Sequence, residues 1–132
     1  MGHFVNPEPH RLSLDDGEFI TIKKRLNHGE REDMFAIMSP HVTPGETALL
    51  DRRVFRTAKV AAYLIGWSLT NEGTPVEYSP DLPYQARVDI LRALDADTFN
   101  AIYAAINTHE DAMDAERAAK KKELRLTSRS VA

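Results

Sequence analysis

Val60-Ala61-Ala62-Tyr63-Leu64-Ile65-Gly66-Trp67 is apolar on every side when wound as a helix. A helix that is hydrophobic all round has to be buried, so this run predicts the central post of the fold. Its start is signalled upstream by Thr43-Pro44-Gly45-Glu46, which combines an N-cap threonine, a proline at the first helical position and a capping-box glutamate. From there a helix is expected to about Leu69, with Gly66 as the one breaker. Trp67 is expected to anchor the core, where truncation to alanine costs about 3–5 kcal/mol.

Working towards the N-terminus, Asn27 can cap a second helix with Glu30 reaching back to it. Met34, Phe35, Ile37 and Met38 form the apolar side of that helix, and Pro40 should stop it at Ser39. Before it, Arg11-Leu12-Ser13-Leu14 and Glu18-Phe19-Ile20-Thr21-Ile22 flank Asp15-Asp16-Gly17, a hairpin signal. A two-residue loop at Asp16-Gly17 would split the apolar set between two faces. A three-residue loop, with Asp15 and Asp16 in a type I turn and Gly17 left-handed, puts Leu12, Leu14, Ile20 and Ile22 on one face, so this register is expected. A lone hairpin is marginal in water, so that face must lie on helices.

Towards the C-terminus, Asn71-Glu72-Gly73-Thr74-Pro75 reads as a turn and Val76 to Ser79 as a short extended piece. Ser79-Pro80-Asp81-Leu82-Pro83 opens a helix with Leu82, Ala86, Ile90 and Leu94 at spacings of four, flanked by Val88 and Leu91. Asp95 can cap a last helix on which Phe99, Ile102, Tyr103 and Ile106 share a face. Helix propensity persists to about Glu123, whereas a compact chain of this length is a globule only about 36 Å across. The last turns should therefore overhang the core, with residues 124–132 a flexible tail.

These elements predict a mainly α chain of α+β type: a hairpin at about residues 11–23 packed on about four helices, the last one long. A single domain over residues 1–123 accounts for most of the 132 residues. The segment from about His109 onward, whose apolar content is mostly alanine with Met113, should be dispensable for folding and used for self-association or partner binding.

Composition narrows the chemistry. With no cysteine, disulfides, zinc ribbons and thiol nucleophiles are excluded together. The net charge of −3 offers no global attraction to nucleic acid or an anionic membrane. Val60 to Asn71, the longest charge-free run, falls well short of the roughly 20 residues a membrane span needs. Asn6-Pro7-Glu8-Pro9-His10 interrupts the apolar run that a signal peptide requires. No phosphate loop, HExxH, EF-hand or GxSxG pattern occurs. His28 beside Glu30, Glu32 and Asp33 is the nearest approach to a metal cluster and reads as helix-start capping residues. His109-Glu110, and the pair Glu110 and Asp114, read as a solvated helix face. No catalytic, cofactor-binding or metal-binding residue is therefore expected, and the chain reads as a non-enzyme.

Two basic groups remain. Arg52, Arg56 and Lys59 recur at i, i+4 and i+7, which makes a stripe that can dock an acidic partner or else the solvated side of the helix. Lys120-Lys121-Lys122 suits a helix C-terminus, where Glu116 can pair with Lys120. Arg52, Arg56, Lys59, Met113, Arg117, Lys120 and Lys121 are the candidate partner-binding residues.

Three stretches carry a resemblance. They are the hairpin with its basic residues and Asn27-His28-Gly29-Glu30, the run Ala61 to Leu69 with the turn 71–76, and Leu91-Arg92-Ala93-Leu94-Asp95 followed by Phe99 to Ile106. Over about residues 10–115 the chain resembles small proteins encoded beside the tail-tube and tape-measure genes of long-tailed bacteriophages, many of them tail assembly chaperones. The resemblance implies a mostly helical, non-enzymatic protein of the host cytoplasm that binds the tape measure protein and helps recruit tail-tube protein. It also implies a frequent second, frameshifted product. It transfers no site residue onto this chain. A structural virion protein, as a decoration, head–tail or tail subunit, is the alternative, and a DNA-binding regulator fits the acidic balance less well.

Overall fold

A computed structural model describes residues 3–38 and 52–130, with side chains over 3–37 and 54–125. The first elements are strands β1 (Pro9–Ser13) and β2 (Phe19–Lys23), paired antiparallel with Leu12 opposite Ile20 and His10 opposite Ile22. Leu14 N–H donates to the Glu18 carbonyl across 2.8 Å, which closes the three-residue loop read from the sequence. Ile20 and Ile22 are fully buried, and Leu12 and Leu14 pack half-buried beside them. The turn differs in one dihedral. Asp16 stands at φ 63°, left-handed like Gly17 at 77°, so the loop is not the expected type I turn. Aspartate is among the few side chains that tolerate this region.

Helix α1 (His28–Met38) is capped as its sequence requires. Asn27 N–H donates to Glu30 Oε1 at 3.0 Å, and Glu30 N–H donates to Asn27 Oδ1 at 2.8 Å. The expected apolar side is split, however: Met34 is buried, while Phe35 and Ile37 are exposed. Successive helical positions diverge by about 100°, so residues 34, 35 and 37 cannot all face the same neighbour. The expected stop at Ser39 and the cap at Thr43-Pro44-Gly45-Glu46 lie outside the described residues.

Helix α2 (Arg52–Tyr63) is the element on which α1, α3 and α4 all pack, with Ala58, Val60, Ala61 and Tyr63 buried. The helix expected to reach Leu69 ends at Tyr63. Leu64–Trp67 leaves it as strand β3, antiparallel to β2, in a three-stranded sheet of order β1-β2-β3. An unbroken apolar run does not distinguish a buried helix from a buried strand by periodicity. Tertiary context decides it, because β2 has a second edge whose N–H and C=O groups need partners and β3 supplies them. Ile22 pairs with Leu64 and Ile20 with Trp67, and a bulge between these pairs leaves Ile65 as the extra residue. The bulge sets Leu64 and Trp67, three positions apart, on the face that Ile22 and Ile20 share.

The largest fully buried side chains of the core are Ile20, Ile22, Val60, Tyr63, Leu64, Leu91, Ile102 and Ile106. Trp67, Ile65 and Phe99, expected inside with them, are half-buried. Trp67 sits at the rim, where its Nε1–H donates to the Val76 carbonyl at 2.8 Å. After β3 a small hairpin forms from β4 (Thr70–Asn71) and β5 (Thr74–Pro75). Its two turn residues, Glu72 at φ 50° and Gly73 at 82°, are both left-handed, as a type I′ turn requires.

Helix α3 (Tyr84–Arg92) follows Pro83 and buries Leu91. Asp95 then caps α4 (Ala96–Ser130), its Oδ2 accepting from Asp97 N–H at 3.1 Å. At 35 residues α4 is about 52 Å long. Only its first half touches the core. Side chains from Asp114 to Arg125 are exposed, and the helix continues through Ser130, beyond the end near Glu123 expected from the sequence.

Candidate functional site

On α2, Arg56, Lys59 and Tyr63 rise along one side, and α4 crosses that side. Lys59 was expected on a solvated stripe or a docking surface, but only 7% of it is exposed. Its Nζ meets Glu110 Oε1 at 2.8 Å, and Tyr63 Oη donates to Glu110 Oε2 at 2.7 Å. Burial alone would raise the Glu110 carboxyl. The hydrogen bonds from Lys59 and Tyr63, with the charges of Lys59 and Arg31, outweigh it and hold the group below the ordinary carboxylate range. Burial, reinforced by the neighbouring Glu110, pushes the Tyr63 phenol well above its usual value. Both α2 partners are buried, so the arrangement clamps the two helices together.

The neighbouring His109 is also inside, at 8% exposure. Its Nε2 lies 2.8 Å from the Lys24 carbonyl, which can only accept, so this ring nitrogen carries the hydrogen. His10 of β1 stacks on it with centroids 4.7 Å apart. The pair His109-Glu110 thus ties α4 to both α2 and the hairpin, which corrects its reading as a solvated face. The signal was present: residues 99, 102, 106 and 109 continue one helical stripe, and only the polarity of residue 109 concealed it.

The candidate partner-binding residues separate into two groups. Arg56 lies over the rings of Phe99 and Tyr103 and hydrogen-bonds Asn100, so its planar guanidinium serves the α2–α4 contact. Lys59 is in the clamp. The side chain of Arg52 lies outside the described residues. Met113 is half-buried at the last point of core contact, and Arg117, Lys120 and Lys121 are exposed on the projecting part of α4. Lys120 pairs with Glu116 at 3.2 Å, as their spacing predicts. The structure therefore places Arg56 and Lys59 at the α2–α4 interface, on different partners, and leaves Arg117, Lys120 and Lys121 on an arm.

Several hollows open on the surface, among them three of more than about 400 Å³. A groove of about 430 Å³ runs between the β4–β5 hairpin and the α3–α4 junction, lined by Trp67, Val76, Ile90 and Leu94. Another, of about 450 Å³, lies beside Ile37, Val54, Tyr84 and Val88. The third is an open hollow on the outer side of α1, at His28, Glu32, Phe35 and Ala36. Among the described residues no three His, Asp or Glu side chains gather as a metal would require, and no helix is long and apolar enough to cross a membrane. The chain matches no family model, no curated protein and no solved structure.

Proposed function

We propose that this chain is a non-enzymatic tail assembly chaperone of a long-tailed bacteriophage, acting in the host cytoplasm. It would bind the tape measure protein and help recruit tail-tube subunits. The reading rests on the sequence resemblance. The structural observation that supports it best is α4, which extends past its last core contact with every described side chain from Asp114 to Arg125 exposed. A helix this polar is sustained more easily against a partner than alone. Lys59, Tyr63, His109 and Glu110 meet one another or the hairpin and hold the body together, which leaves the projecting part of α4 as the surface for a partner.

Co-expression with the tape measure protein encoded beside it tests the reading. The tape measure should remain soluble with this chain and aggregate without it. Equal insolubility in both cases rules the chaperone function out. Mass spectrometry of purified particles separates the alternative, because a chaperone is absent from them and a structural virion subunit is present in many copies.

A further inference from the structure

Along the projecting part of α4 the charges are sorted by sign. Residues 110–116 hold four acidic side chains and no basic one, and residues 117–125 hold five basic side chains and one acidic. The helix macrodipole does not account for this order, because its influence ends within the first and last turns and α4 runs from Ala96 to Ser130. At 3.6 residues per turn, Asp111, Asp114, Ala115, Lys121, Lys122 and Arg125 all fall within about 60° of Ala118, so they form one stripe. Every member of it is exposed. The core-facing Ile102, Ile106 and His109 lie about 120° or more away round the helix, so the stripe looks away from the body. Glu116 and Lys120, paired with each other, stand on the side opposite the stripe. Among the described residues none of the five charged members of the stripe has an ion pair, and Lys121 and Arg125, one turn apart, repel each other.

We propose that α4 pairs antiparallel with α4 of a second copy of this chain along this stripe, about a two-fold axis at Ala118. That axis sets Asp111 of one copy opposite Arg125 of the other and Asp114 opposite Lys122, and the symmetry makes each contact twice. Lys121 falls opposite Ala115, which leaves room for its aliphatic stem. Ala118 meets Ala118 at the crossing, where a methyl side chain lets the two backbones come close. A parallel pair in register would set acid on acid and base on base, so the order of the charges selects the antiparallel one. The stripe is therefore its own complement over the roughly 21 Å from residue 111 to residue 125, and each body lies on the far side of its helix from the contact. This self-association does not rest on the chaperone reading, and the outcome of co-expression leaves it untouched.

Sedimentation of the full chain over a range of concentration and salt tests the proposal. A weak dimer is expected that dissociates as salt rises, because the matched charges lie on exposed surface. Asp111→Lys/Asp114→Lys sets base against base in its own dimer, and Lys122→Glu/Arg125→Glu sets acid against acid. Each of these double variants should raise its own dimer dissociation constant by about tenfold or more. Mixed in equal amounts, the two should form a heterodimer with an affinity close to that of the parent, since every replaced charge then meets its opposite. All four positions are exposed, so each variant should melt as a folded chain, and recovery on mixing is not open to misfolded ones. A parent that is monomeric at every concentration in low salt overturns the proposal. So do variants that each dimerise as tightly as the parent, a mixture no tighter than its folded components, or a dimer that survives truncation after Arg117.

Discussion

Lys59 Nζ and Glu110 Oε1 stand 2.8 Å apart across the α2–α4 interface, joined from positions 51 residues apart in the chain. Lys59 is only 7% exposed, so the Glu110 carboxylate is what makes its burial tolerable. Tyr63, one turn further along α2, donates to the second oxygen of the same carboxylate, so two side chains of α2 hold one group of α4.

Removing one member should therefore cost more than removing both. Glu110→Ala leaves the Lys59 ammonium buried without a counter-charge, and about 3 kcal/mol of stability should be lost. Lys59→Met combined with Glu110→Ala should cost less than Glu110→Ala alone, and clearly less than the two single losses added together. Urea denaturation of the four proteins in the double-mutant cycle measures the coupling, and additive losses would remove the clamp from the account.

The same carboxylate predicts an acid response. Its folded pKa lies below the ordinary value of 4.5, so its contribution is complete above that value and is lost as pH falls through the lower, folded one. The stability of Glu110→Gln should accordingly decline less steeply with acid than that of the parent. Equilibrium unfolding at a series of pH values from 6 down to 3 compares the slopes, and parallel curves would contradict the assignment.

Where α4 stops mattering for folding can be located by truncation. A chain ending at Arg117 keeps His109, Glu110 and Met113, and should melt within about 2 °C of the parent. One ending at Thr108 strands Lys59 and Tyr63 and should melt lower by about 10 °C. This revises the boundary expected from the sequence, which placed His109 and Glu110 in the dispensable part. Scanning calorimetry of the two chains decides it, and equal melting temperatures would restore the earlier boundary.

Glycines 66 and 73 should respond oppositely to alanine. A Cβ on Gly66 would come no closer than 4.0 Å to the Tyr78 carbonyl, and its φ is not positive. Gly66→Ala should be neutral or stabilising by about 0.5 kcal/mol. Gly73 sits at φ 82°, so Gly73→Ala should cost about 1 kcal/mol although nothing crowds it. Chemical denaturation reads both differences.

Trp67 at the rim of the core should emit between the wavelengths of a buried and a solvated indole. Trp67→Phe removes the bond to the Val76 carbonyl while keeping most of the packing, and should cost about 1 kcal/mol. A fully water-exposed emission from the parent would place the ring outside the fold described.

What the sequence determined by itself is local. The alternation around Asp15-Asp16-Gly17 set the hairpin register, and Asn27 with Glu30, and Asp95 further on, marked two helix starts, because these signals act over a few residues of chain. The overhang of α4 was also legible, since helix length follows from residue count and a compact body of this size is shorter. The tertiary structure alone decided the rest. Leu64 to Trp67 became a strand because β2 had an unpaired edge, and an all-apolar run satisfies a buried helix and a buried strand equally. Lys59, His109 and Glu110 moved inside because each found its partner on a distant element, and a polar residue is written the same way in the sequence whether water or another side chain will satisfy it.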